Sequence, residues 1–441
     1  MARSESCGEG NVDCTADSRR GSGARSGRLQ GHARGLRVRA LTAGDTADCW
    51  RVEPIKPGER LRLVAEMELP YRAWLDFEIQ PDGDGARLQQ KALFDLVGLW
   101  GFCGHDRNQL PAGVIEDTSD LDFSGHRKTR DWGVIGDGDG RGFELHSALA
   151  VRVESWTLEQ RPEGQVMGLF DQQCRRPRPA PRGETRRERL SRRRKSSWWA
   201  EALQRAGSPP EGCRWIYLAD RESDFYEPIQ ICQRLGVDFI IRACHDRRLA
   251  EGVGKLTAAL AGAAVLGQST VELHSRRGEA ARTGIVELRS VPVDLDGPWR
   301  PGGWQEPLRA VTGVEVREVH APEEVEEPLH WILLTSLPCR TLAQARQIVG
   351  RYTARWWVEE YHKAIKSGAG VEDSQLENGG RLEPLIAVLA VVAVRLLNAK
   401  MLARSRPEGS EARESFGPEA LEILEKRFGK PKGGGGAIAR C

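Results

Sequence analysis

The chain has 441 residues, more than one compact core needs; at roughly 100–200 residues per domain, two or three are expected. Its 39% hydrophobic and 29% charged residues are an ordinary globular balance, and 65 basic against 63 acidic residues exclude a uniformly basic protein but not a local basic patch. The ten cysteines never fall into a Cys-x-x-Cys pair, against a zinc ribbon, and their scatter is unlike a secreted disulfide scaffold. The longest apolar run, Leu385 to Val394, is ten residues, about half a membrane span. Arg19-Arg20 is followed by Gly-Ser-Gly-Ala-Arg without an apolar core, so a twin-arginine export signal fails. A cytoplasmic protein without a membrane segment is expected.

In chain order, residues 1–43 are Gly-, Ser- and Arg-rich and carry too few aliphatics to offset chain entropy, so disorder is expected there. From Trp50 the pattern changes. Residues 60–69 alternate apolar and polar as a half-buried strand does, and 73–80 and 86–94 form two more strands around the turn Pro81-Asp82-Gly83-Asp84-Gly85. Short strands follow at 114–117, 142–153 and 164–172. A helix at 197–206, a strand at 214–220, a helix at 225–235 and a strand at 237–242 come next. Strands first and then strand–helix–strand suits a mixed α/β sheet. Residues 265–335 return to alternating strands, and two long helices are expected at 342–366 and 382–403, the second opened by Pro384 near its first turn.

Three acids stand out by context. Asp117 ends an apolar strand, Asp220 ends the strand Trp215 to Leu218, and Glu359 lies in a helix between Arg355 and Lys366. Carboxylates at strand ends and on a facing helix can converge, and hard divalent cations take such oxygen ligands. Tyr352, Arg355, Glu359 and Lys366 are spaced by 3, 4 and 7 residues, which places them on one helical face. From Cys174 to Lys195 eleven basic residues, among them Arg192, Arg193, Arg194 and Lys195, face two glutamates, enough for several phosphate contacts. His146, on a strand, reads as packed or hydrogen-bonded. The run Gly136 to Gly142 leads into a strand and fails as a nucleotide loop.

Two resemblances attach to these residues. Asp45 to Glu53, with Leu69 to Phe77, looks like part of an uncharacterised cup-like domain that follows NAD(P)-binding reductase domains. The run Tyr352-Thr-Ala-Arg355-Trp-Trp-Val-Glu359-Glu-Tyr-His-Lys-Ala-Ile-Lys366 resembles the signature of an insertion-sequence group of DDE transposases. Glu116-Asp117-Thr118-Ser119 and Leu218-Ala219-Asp220-Arg221-Glu222 resemble that group's two aspartate blocks, and Trp331 precedes Tyr352 by the family's 21 residues. The resemblance spans 114–407. It implies an RNase H-like mixed sheet with flanking helices, and a β-rich insertion at about 245–340 before the last catalytic helix. It further implies Asp117, Asp220 and Glu359 as catalytic ligands of two Mg2+ or Mn2+ ions, and DNA contacts from Tyr352, Arg355, Lys366 and Trp331. A homodimer on DNA would be the working form.

The domains expected are therefore a disordered 1–43, an antiparallel β fragment at 44–112, a catalytic domain at 113–407 and a shortened tail at 408–441. In this reading 1–112 stands where the family carries a helical end-recognition domain. The leading function is a metal-dependent DNA transposase, impaired where end recognition is lost. The alternative is a non-catalytic DNA-binding or dimerising remnant that inhibits transposition. A ligand-binding role for 44–102 is disfavoured, because half a cup leaves strand edges unpaired.

Overall fold

The computed structural model describes residues 42–405, apart from short segments of which the longest are 66–72, 95–111, 127–131, 178–182, 186–195, 274–280 and 375–378. The expected disorder at 1–43, the patternless stretch 98–111 and the tail 408–441 fall almost wholly outside the described residues.

The first unit is a small antiparallel meander of five strands: β1 (Thr46–Ala47), β2 (Trp50–Val52), β3 (Arg60–Ala65), β4 (Ala73–Asp82) and β5 (Gly85–Phe94). The alternation in 60–65 and the Asp/Gly turn produce the β3–β4–β5 core of this sheet, with Asp82 opposite Gly85. Two short strands, β1 and β2, extend it beyond the three expected.

The second unit is a ten-stranded mixed sheet with helices on both faces. Its first four strands are β6 (Ala112–Asp122), β7 (Gly133–Ile135), β8 (Gly140–Ser155) and β9 (Glu163–Arg175). Helix α1 (Ser196–Ala206), β10 (Trp215–Ala219), α2 (Tyr226–Leu235), β11 (Asp238–Arg242) and α3 (Leu256–Gly262) follow. Next come β12 (Val265–Leu273), β13 (Arg282–Leu295), a separate hairpin of β14 (Trp299–Arg300) and β15 (Gly303–Trp304), β16 (Leu308–Val319) and β17 (His330–Thr335). Helices α4 (Leu342–Thr353), α5 (Trp356–Lys363) and α6 (Gly379–Ser405) complete the described chain. The strand order is β12-β13-β16-β17-β11-β10-β6-β8-β7, with β9 also paired to β8. Only β6–β10 and β10–β11 are parallel. Strand β10 is buried at all five positions, as a strand covered on both faces should be.

Alternation along β6 and β10 sends side chains to two separate cores. Ile115, Ile216, Leu218 and Ile240 face α4, α5 and α6 through Ile348, Val358, Tyr361 and Ile386. Val114, Tyr217, Ala219 and Phe239 face α1 and α2 through Trp199, Leu203 and Ile229. Each fully buried aliphatic of these sets contributes roughly 1.5–3 kcal/mol. Helix α2 ends on Gly236, whose left-handed φ of 69° lets its amide return to the Cys232 carbonyl before β11 begins. Thr341 caps α4 by accepting from the Gln344 amide at 3.3 Å.

Three expectations need correction. The single helix at 342–366 is two helices. Between them the amides of Trp357 and Val358 bond three residues back, to Ala354 and Arg355, and the second ends in a one-turn π-helix, Ala364–Gly368. Asp117 does not end its strand, because pairing of β6 with β8 carries it on to Asp122. Pro384 lies inside α6, whose first turn begins at Gly379. That helix is apolar all round, and Leu382–Met401 is long and apolar enough by length and composition to cross a membrane. Here Leu382, Ile386, Ala390 and Leu397 are buried in the core, and the Asn398 amide bonds both the N–H (2.9 Å) and the C=O (2.8 Å) of Val166 on β9. Cys213 is disulfide-bonded, while Cys232, Cys244 and Cys339 carry free thiols.

Candidate active site

The site follows from register. Ala219 on β10 pairs with Glu116 on β6, so the next residues, Asp220 and Asp117, stand side by side where β10 ends. Asp220 turns out of the strand and caps a one-turn 3-10 helix, Arg221–Ser223, by accepting from the Glu222 amide at 2.8 Å. Helix α5 packs on β6 and β8 and brings Glu359 to the same face.

Arg355 ties these parts together. Its guanidinium donates to Asp117 Oδ2 at 3.4 Å and forms an i, i+4 ion pair with Glu359. Asp117 Oδ1 accepts from the Thr118 amide at 2.8 Å. The Asp117 carboxyl is pushed up to about 7, chiefly by burial; Arg355 opposes that rise, while the negative charges of Asp220 and Glu359 add to it. Asp117 therefore feels both other acids, and the three carboxylates form one electrostatic unit although 103 and 139 residues separate them.

Tyr352 lies one turn before Arg355 and bonds its guanidinium; burial raises its phenol above the ordinary range, and Arg355 opposes that rise. Its ring meets Trp331 edge-on at 5.3 Å, and the Arg242 guanidinium lies 5.8 Å from the Trp331 ring. Trp331 is only partly buried and packs against the core beneath. Lys366 sits on the π-helical turn, where its charge acts on Asp122 and His362. Arg192, Arg193, Arg194 and Lys195 lie outside the described residues; of the basic run, Arg175 stacks at 3.6 Å over Trp198 and Arg176 pairs with Glu383.

Sequence reasoning passed over several groups. His362 Nε2 lies 3.2 Å from Ser147 Oγ, and Gln172 donates to Ser147 Oγ at 3.4 Å and to Tyr361 Oη at 2.6 Å. On the opposite face, buried Glu116 accepts from Tyr217 Oη at 3.1 Å, and Tyr217 shares a 2.8 Å hydrogen bond with Ser223. His146 is packed, as expected, with Thr118 Oγ1 at 3.0 Å and the Trp199 ring at 4.7 Å. The only signal in the sequence for these was polar residues inside apolar strands.

Among the described residues, Asp224, Cys244 and His245 are grouped closely enough to hold a cation. The Asp224 carboxylate is already occupied by the amides of Cys244 (2.8 Å) and His245 (3.0 Å) and by the Arg247 fork (2.8 Å at Nε). It is a clamp joining the Asp220 loop to the segment after β11, with no oxygen left for a metal.

A family model described as "Protein of unknown function (DUF2867)" matches residues 19–103, the stretch that contains β1–β5 and the cup-like resemblance. That family is not a transposase family, and this finding overturns the assignment of the chain to the DDE transposases with the Tyr-Arg-Glu-Lys signature. A physical reason lies in the helix itself, because spacings of 3 and 4 are what any ion-paired stripe produces, and Arg355–Glu359 is such a pair. The family matched is therefore one of unknown function, confined to the first quarter of the chain, and it leaves the Asp117–Asp220–Glu359 site to be read from its geometry.

Proposed function

We propose that the chain is a metal-dependent enzyme of phosphodiester chemistry on DNA, freeing a 3′-hydroxyl and joining it to another strand, the reaction that transposition requires. The observation that carries this reading is the meeting of Asp117, Asp220 and Glu359 from β6, the end of β10 and α5. Three oxygen donors with no nitrogen or sulfur among them suit Mg2+ or Mn2+. A carboxyl held near 7 by burial and by two neighbouring acids is one that a cation would relieve. Two such ions, when bound, would activate the attacking oxygen and stabilise the leaving one.

The remaining roles belong to the chain's own groups. Asp117, Asp220 and Glu359 would hold the ions. Arg355 offers a planar fork to a phosphate, Lys366 a point charge, and Tyr352 one hydrogen bond. Trp331, partly exposed and braced by Tyr352, offers a ring face to an unstacked base. The order β9-β8-β6-β10-β11, antiparallel as far as β6 and parallel beyond it, supports an RNase H-like reading of 113–407 with β12–β16 as the insertion. Action as a homodimer on DNA, in the cytoplasm at the nucleoid, belongs to the same proposal.

The test is cleavage of supercoiled and linear DNA with Mg2+ or Mn2+, comparing the parent chain with Glu359→Gln. Cation-dependent nicking that Glu359→Gln abolishes supports the reading; no nicking, or nicking that survives the substitution, overturns it. A second reading has one observation in its favour. Arg355 spans two of the three acids and so offsets part of their charge without a cation, as a DNA-binding chain without chemistry would need. Tight DNA binding without cleavage is its outcome in the same assay.

A further inference from the structure

Glu359 has to meet Asp117 within tenths of an ångström if the two share ions, and the apolar packing of helix α5 does not by itself fix its position to that level. The sheet beneath it supplies a fixed row. Asp117 on β6 pairs with Ser147 on β8, and Ser147 pairs with Gln172 on β9, so these three side chains project from the same face along one line. Asp220 extends the line on the other side of Asp117.

Helix α5, with Arg355 at its N-cap, lies over this row and touches it at three points, the third being Tyr361 on Gln172. Arg355, one turn before Glu359, reaches Asp117, and His362, three residues after Glu359, reaches Ser147 Oγ at 3.2 Å. Ser147 is fully buried and His362 nearly so. Gln172 completes the lattice, donating to Ser147 and to the neighbouring Tyr361 Oη. With Ser147 Oγ accepting from Gln172, its own proton is free for an unprotonated imidazole. His362 is that, since burial, with Lys366 and Arg355 nearby, holds it down to about 3.

We propose that His362 and Ser147, supported by Gln172 and Tyr361, are positioning residues that set the placement of Glu359 against Asp117. A merely apolar contact would keep the helix on the sheet but leave it free to slide along its axis. A hydrogen bond to a residue paired directly with Asp117 fixes that slide. The inference deepens the reading of the site as a cation-dependent DNA enzyme and rests on it.

The test uses the full chain with His362→Leu, His362→Gln and Ser147→Ala, each first checked for cooperative thermal unfolding. Gln carries an amide near the place of Nε2, so it is the rescuing variant. Two quantities are read: Mn2+ affinity by electron paramagnetic resonance, and the 15N resonance of the Arg355 guanidinium, assigned with Arg355→Lys, in metal-free protein. Mn2+ affinity should fall about 10- to 100-fold in His362→Leu and Ser147→Ala and return to within about threefold of the parent in His362→Gln. The Arg355 signal should move in the first two variants and not in the third. Folded His362→Leu and Ser147→Ala chains with parental Mn2+ affinity and an unmoved Arg355 signal would overturn the proposal, as would His362→Gln behaving like His362→Leu. If the parent binds no Mn2+, the functional reading falls, and the Arg355 signal alone still decides whether the pair positions the helix. Should His362→Leu fail to fold, Ser147→Ala carries the same comparison.

Discussion

Glu116 and Asp117 are consecutive residues on one strand, and burial raises both carboxyls, yet they belong to different kinds of site. Glu116 points to the α1–α2 face. It is sealed there among Tyr217, Ser223, His146 and Trp199, where the Asp171 charge adds to the rise and Tyr217 and Arg205 oppose it. Asp117 points to the α5 face, keeps some exposure and meets an arginine and two more acids. Strand alternation alone makes the separation. Glu116, closed off from solvent and raised above the ordinary carboxylate range chiefly by burial, serves structure. A buried carboxyl next to other acids at the rim of a sheet is poised to take charge from outside. The pair shows that a raised carboxyl pKa is no mark of function until its surroundings are known.

The comparison can be broken or sharpened in four ways. The largest effect belongs to the open face. Glu359→Gln should lower cation-dependent DNA cleavage on the order of 100- to 1,000-fold in single-turnover assays while leaving the melting temperature unchanged or higher. The second is pH dependence. A folded carboxyl raised from the ordinary 3.8 to about 7 contributes stability that is complete below pH 3.8 and is lost as pH rises to 7. Urea unfolding of the parent against Asp117→Asn should show that slope disappear, a difference on the order of 4 kcal/mol across the window. On the sealed face, Tyr217→Phe removes the hydroxyl shared by Glu116 and Ser223 and should cost about 1–3 kcal/mol by the same unfolding measurement. The smallest effect is Glu116→Gln, a neutral amide for a neutral acid. It should alter stability by less than about 1 kcal/mol and leave cleavage intact. A large loss of cleavage in Glu116→Gln would erase the distinction between the two faces.

Much of this arrangement is written locally. The Asp-Gly turn at 82–85, the alternation of 60–65 and the five apolar residues of β10 need only near neighbours to be read. So do the three acids, Asp117 and Asp220 singled out by the apolar strands before them and Glu359 by its helical place between Arg355 and Lys366. What local pattern cannot carry is register. That Ser147 stands opposite Asp117 and Gln172 opposite Ser147 depends on bulges in β9, between Asp171 and Leu169 for example, which no periodicity signals. The break at Ala354–Arg355 is equally silent, since Thr-Ala-Arg-Trp is a good helical sequence and tertiary packing tightens it to three-residue bonds. The Tyr-Arg-Glu-Lys spacing, persuasive as a signature, carries less information than it seemed, because any helix that pairs an arginine with a glutamate one turn on repeats part of it.

The central claim is that Asp117, Asp220 and Glu359 together hold divalent cations. Crystals of the chain soaked in Mn2+ and measured for anomalous scattering test it most directly. The account predicts two peaks among the three carboxylates, with the Arg355 guanidinium withdrawn from Asp117, and their loss in Asp220→Asn. No peak there, or peaks that persist without Asp220, would contradict it.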